Sequence, residues 1–187
     1  MAEALLQGML NRRSCRHYLR KQVPKELLEQ VLNAGRLAPT GKNRQDFHFY
    51  VVTDFEKHSN IGKQLQPAVE KEYPQLQRAR ELKGVTNCLF YDPDVVVFCT
   101  VKKDGIATKY YDLGMALENM MLMAQLLGLA TLPAAFPAWF GSELITKELH
   151  LPDDEEFCLT LSIGYADPTN PPKDQERKPM EELFTYL

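Results

Sequence analysis

The phosphate-binding loops carried by most nucleotide enzymes are missing from this 187-residue sequence. No G-x-G-x-x-G follows a strand-like run, so a dinucleotide fold is not indicated, and the P-loop pattern is absent as well. G-x-S-x-G and H-E-x-x-H do not occur either. Cysteine is sparse and scattered, at Cys15, Cys88, Cys99 and Cys158. Without a C-x-x-C or a paired Cys/His spacing, neither a zinc site nor a disulfide framework is implied. Cys99 and Cys158 lie in apolar runs and read as core thiols. His17, His48, His58 and His150 stand apart from any convergent partner, which favours surface or packing roles. These absences leave no nucleophilic or metal chemistry on the chain and push any difficult step onto a cofactor.

Long uninterrupted apolar runs are also missing. The nearest is Ile106 to Ala130, where Asp112, Glu118, Asn119 and Gln125 break what would have to be roughly 20 apolar residues to span a bilayer. At the N-terminus, Glu3 and Gln7 interrupt the apolar content and Arg12-Arg13 follow closely, so no secretory leader is read and a cytosolic location is expected. With no repeat, low-complexity tract or linker, residues 1–187 read as one domain. A net charge of −3 argues against nucleic acid and anionic membranes as partners.

What is present is unevenly placed. Residues 1–50 hold nine Lys and Arg against four acids. Arg12, Arg13, Ser14 and Arg16 fall within five residues, a set able to fork onto phosphate oxygens. Taken alone, the same residues favour a solvated charge run, or arginines decorating a helix C-terminus. The loop Ala38 to Gln45 is rich in turn formers and in amides that both donate and accept, suited to the edge of a heteroaromatic ring but equally to ordinary turn chemistry.

Apolar spacing predicts helices over Ala2–Leu10, from Val23-Pro24 to about Ala38, over Phe55–Leu65 and Ala68–Lys83, and from Ser142 to His150. The 55–83 pair reads as polar and mobile. Phe47–Thr53, Asp94–Val101 and Glu156–Tyr165 read as strands, the latter two buried on both faces. The helix within Ile106–Ala130 is apolar nearly all round, which predicts deep burial with a second subunit covering it. After it, Thr131 to Phe136 offers small side chains that admit a planar ligand to the backbone. Asp167 to Pro179 is irregular and carries Lys173, Arg177 and Lys178, and the apolar tail 180–187 is expected to pack on something.

Four of these stretches, in this order and spacing, resemble the FMN-dependent nitroreductase family, and the likeness covers nearly the whole chain. The R-R-S-x-R-x-[FY] signature stands at Arg12 to Tyr18, and P-[ST]-x-x-N-x-Q at Pro39 to Gln45. The D-x-G-x-A-x-x-N-M helix begins at Asp112 and runs to Leu129, and R-K-P-[LM]-E-E stands at Arg177 to Glu182. The resemblance implies an α+β homodimer with a central, mostly antiparallel sheet flanked by helices, and FMN bound at the subunit interface. Arg12, Arg13, Ser14 and Arg16 would hold the phosphate and ribityl chain, with Arg177 and then Lys178 closing on it. Pro39, Thr40, Gly41, Asn43 and Gln45 would reach the flavin of the other subunit. Leu132, Pro133, Ala134 and Ala135 would back the isoalloxazine.

The implied activity is ping-pong transfer of hydride from NADH or NADPH to an electron-poor acceptor such as a nitroaromatic or quinone. A specialised flavin reaction (reductive dehalogenation or flavin fragmentation) and a non-catalytic FMN-binding dimer are the alternatives. In the first, residues 61–91 would form a substrate lid, with Tyr73, Phe90 and Tyr91 as candidate stacking rings. One departure bears on preference: Asp46-Phe47 stands where the family usually has Pro-Trp, which is expected to set a carboxylate near the anion site.

Overall fold

In the computed structural model, which describes residues 2–172 and 174–187, the alternating apolar residues of one strand organise two cores. Met1 and Lys173 lie outside the described residues. The strand is β2 (Val95–Lys102), and its side chains point alternately to opposite faces of the sheet. Val95, Val97, Cys99 and Val101 pack with α2 (Lys25–Arg36) and α5 (Lys109–Leu126). Val96 and Phe98 pack on the other face with α3 (Phe55–Glu72) and α6 (Phe136–Leu149). Both faces are therefore dry, as the unbroken apolar run requires.

Strands β1 (Phe47–Val52), β3 (Ala130–Ala134) and β4 (Glu155–Gly164) complete a four-stranded sheet of order β1-β2-β4-β3 in which every pairing is antiparallel. The expected α+β architecture is thus found. The remaining helices are α1 (Ala2–Asn11), α4 (Gln75–Lys83) and the short α7 (Met180–Leu183). No helix among the described residues is long and apolar enough to cross a membrane.

Three expectations need correction. The break expected between Leu65 and Ala68 falls instead at Tyr73-Pro74. Pro67 has an exposed ring and sits inside α3, because Ile61, Leu65 and Val69 bury into the core on either side of it. Tyr73 precedes Pro74 and is driven out of the helical region, to φ −127° and ψ 73°. The burial of its residues also makes α3 a packed helix rather than a mobile one; of this pair only α4 has no buried residue. Second, Ala130–Ala134, for which no strand is read from the sequence, is a strand, and its Pro133 is tolerated because β3 is the sheet's outer strand. Third, the helix expected from Ser142 begins at Phe136. It bends at Gly141, where a Cβ would lie 2.2 Å from Leu65.

Helix α5 is buried along Leu113, Ala116, Leu117, Met120, Met121 and Ala124. Its other side leaves Tyr110, Tyr111, Met115 and Leu126 exposed within a single chain, so all-round apolar character is not matched by all-round burial in one subunit. The tail is not buried within one chain either: Leu183, Phe184 and Tyr186 are all exposed.

Candidate functional site

On leaving α1, the chain runs beside the outer strand. Ser14 forms a parallel bridge with Thr131, and the Cys15 amide donates to the Thr131 carbonyl at 2.9 Å. Tyr18 then bridges Ala166. This extended run alternates, so Cys15 is buried while Arg16 is exposed. Burial pushes the Cys15 thiol up, leaving it a packing group.

The alternation helps open a cleft of about 490 Å³. Arg12, Arg13, Ser14, Arg16 and His17 form one wall. Lys83, at the end of α4, forms the second, and Asn170, Pro171, Pro172, Gln175 and Arg177 form the third. Among the described residues, five permanent cations and no carboxylate line this space. The nearest acid, Asp174, pairs with Arg13 at 3.4 Å, but its side chain is 98% exposed and the pair is correspondingly weak. The Arg13 guanidinium donates through Nη1 to the Leu10 and Arg12 carbonyls, which fixes its plane. Its Nε is buried with no partner, a vacancy worth about 1–3 kcal/mol to any acceptor that fills it. A fixed guanidinium with an orphaned donor, among four other cations, can accept an anionic ligand.

Arg16 also lines a second cavity, of about 230 Å³. Its floor is Leu132, Pro133, Ala134 and Ala135, at the end of β3. Leu89, Tyr91, Phe136 and Trp139 wall it. The Arg16 guanidinium stands 6.0 Å from the Tyr91 ring centroid, at the outer limit of cation–π contact. Tyr91 and Asp92 both adopt positive φ (63° and 55°), a strained corner held by Asp92 accepting from the Thr86 amide at 2.8 Å. Burial, with Cys88 beside it, pushes the Tyr91 phenol up to about 12, so it faces the cavity as a neutral hydroxyl. One cleft is thus cationic, the next is flat and apolar, and a single arginine joins them.

Of the three rings read as stacking candidates, Tyr91 alone lines this cavity. Phe90 is fully buried against Phe98, and Tyr73 stacks on Phe136 with centroids 5.2 Å apart. Among the histidines, His17 lines the cationic cleft. His58 is buried edge-on between Phe55 and Phe90, His48 stacks beside Tyr50, and His150 ends α6 in a left-handed conformation.

Pro39, Thr40, Gly41, Asn43 and Gln45 line neither cavity. They form a loop at the N-terminal end of α5, tied by the Gly41 amide donating to the buried Asp112 carboxylate at 3.0 Å. Lys42, Asn43 and Gln45 all have positive φ, three strained residues in four, the kind of outlier that clusters at functional sites. Asp46 is turned inward, contrary to expectation. It accepts from Arg44 Nε at 2.8 Å and the Ile106 amide at 3.3 Å, and is buried. The Arg44 bond holds its carboxyl below the usual range against the opposing effect of burial, so it acts as a clamp on the loop rather than a charge at the anion site. Lys178 pairs with Glu182 at 3.3 Å on the surface and also lines neither cavity. Sequence reading missed Lys83, Phe136 and Trp139 as lining groups. Lys83 lies immediately before a left-handed Gly84, the only local mark that the helix ends there.

The chain is similar along nearly all its length to several known proteins. A 4-nitrobenzoate reductase from Pseudomonas putida is 27% identical, covering 95% of this chain and 92% of its own. Human iodotyrosine deiodinase 1 is 26% identical over 94% of this chain and 66% of its own. The crystal structure of a nitroreductase with bound FMN from Bacteroides fragilis has the same fold, with a TM-score of 0.82, 24% identity and 98% of each chain covered. The family model of the Nitroreductase family matches residues 9–165, and the chain belongs to that family.

Proposed function

We propose that this chain is an FMN-dependent oxidoreductase that uses NADH or NADPH to reduce nitroaromatics, quinones or similarly electron-poor acceptors. The observation that carries the reading is the pair of cavities sharing Arg16: a cationic cleft sized for a phosphate and its chain, opening onto a flat apolar floor. Arg12, Arg13, Ser14 and Arg177 would hold the phosphate, with the buried Arg13 Nε gaining the acceptor it lacks. Leu132 to Ala135 would back the ring, and Tyr91, Phe136 and Trp139 would keep water from its edge. FMN would supply the one ability no side chain here has, accepting and releasing hydride. Arg16 stands between the two cavities, where its positive charge would stabilise negative charge building on the ring.

With the floor occupied, donor and acceptor share one open face and use it in turn, which is the ping-pong order. The protein acts as a cytosolic homodimer in this reading. The strained loop at Pro39 to Gln45 and the exposed side of α5 serve the partner's site. Anaerobic mixing of the flavin-loaded protein with NADH and with NADPH tests the assignment. Bleaching of the flavin by at least one is expected, and a flavin that neither donor bleaches would overturn it. Likeness to the deiodinase favours reductive dehalogenation as the second reading. A protein that reduces halophenols but not nitroarenes would select it.

A further inference from the structure

The cationic cleft contains one contact that the phosphate arginines do not explain. Lys83 Nζ lies 2.5 Å from His17 Nε2, bringing the end of α4 to the N-terminal run. An ammonium has only donors, so at this contact the imidazole accepts. His17 is therefore neutral here, with its ring proton on Nδ1. Its surroundings agree. Arg12, Arg13 and Arg16 stand on its own segment, Lys83 faces it from α4, and Arg177 closes the cleft from the C-terminal side. Asp167 follows β4 and is the one acid that draws a proton toward it, while Asp174 is engaged with Arg13. Burial first, and the Lys83 charge second, lower the His17 pKa from its ordinary value.

A dianion entering this space reverses the balance. We propose that His17 and Lys83 form a proton-coupled anion subsite: a dianionic phosphate binds as His17 takes up one proton from solvent. Both Nε2–H and the Lys83 ammonium then turn from each other to donate to the phosphate. The subsite selects a phosphorylated flavin over an unphosphorylated one, and it rests on the flavin reading only for what the phosphate is attached to. Its sign is defined. Above both the free and the bound titration points, His17 is neutral throughout and affinity does not vary through it. As pH falls between them, the bound state takes up the proton and affinity rises. Below the free value the gain levels off.

Inorganic sulfate is the probe, because it stays dianionic through this range whereas a phosphate monoester titrates near pH 6 (roughly) itself. The His17 ring proton is assigned by its loss in His17→Gln and followed by NMR across pH. Saturating sulfate is expected to raise the His17 titration point by about one unit or more, a roughly tenfold preference for the protonated ring. Chloride at equal ionic strength should move it much less. In Lys83→Met the sulfate-free point should rise toward the ordinary value and the sulfate response should shrink, with Lys83→Arg restoring both. A titration point that sulfate leaves unmoved, or moves no more than chloride, overturns the subsite, as does an unchanged response in Lys83→Met. Flavin is removed before these titrations, because its phosphate would fill the subsite, and FMN retention is read afterwards on the same preparations. A sulfate response without flavin keeps the subsite and removes the flavin reading; flavin without a response does the reverse.

Discussion

Arg13 shows how much one side chain settles. Two backbone carbonyls fix its guanidinium, yet Nε is buried with nothing to donate to. Arg177 approaches from the other end of the chain, and its hydrogen bonds among the described residues are long contacts of 3.4 Å to the Gln175 and Glu176 carbonyls. Both are poised for an anion. Charge-assisted hydrogen bonds contribute roughly 1.5–3 kcal/mol each, so Arg13→Ala with Arg177→Ala should weaken FMN binding by about a hundredfold or more. Fluorescence titration measures it, with circular dichroism and the oligomeric state expected to stay unchanged. An unaltered affinity would refute the phosphate assignment. The basic run was legible because it is contiguous in sequence. Lys83 was not, because it reaches His17 across 66 residues and only the fold joins them. Asp46 was misplaced for a related reason: its type was plain, but the partners that turn it inward, Arg44 and the Ile106 amide, depend on how the loop closes.

Among elements, the strands read most clearly were the buried ones, β2 and β4, whose apolar residues need two dry faces. Strand β3 escaped notice since its five residues include a proline and two alanines, and only its pairing with β4 makes it a strand. The join between α3 and the loop before β2 was equally invisible. Asn87 is fully buried there, and its Oδ1 accepts from the Leu89 and Phe90 amides at 3.1 and 2.8 Å. Gly62 of α3 allows this, since a Cβ at that position would come within 2.4 Å of Asn87 Nδ2. Gly62→Ala would displace the amide that shapes the loop carrying Cys88, Leu89 and Tyr91 into the apolar cavity. Overpacking and a strained pair of buried hydrogen bonds should together cost about 2 kcal/mol or more, despite alanine's better helix propensity. Urea unfolding reads this as a lower midpoint at constant slope; an unchanged midpoint would show that the loop does not depend on the contact.

Across the molecule, the apolar surface and the charge are arranged for something the single chain does not supply. Leu6, Met9 and Leu10 of α1, Tyr111 and Met115 of α5, and Phe184 and Tyr186 of the tail are all exposed, more than scattered surface residues need. A homodimer accounts for that surface in the proposed reading and places the Pro39 to Gln45 loop where a second site could use it. The central claim is that the cationic cleft and the apolar floor together hold one flavin. The visible spectrum of the purified protein, taken before and after incubation with FMN and removal of the excess, tests it most directly. Retained flavin bands at about one per chain are the expected result, given five cations among the described residues lining the cleft and an arginine there with an orphaned donor. A protein that stays colourless after incubation, while folded, would contradict the account.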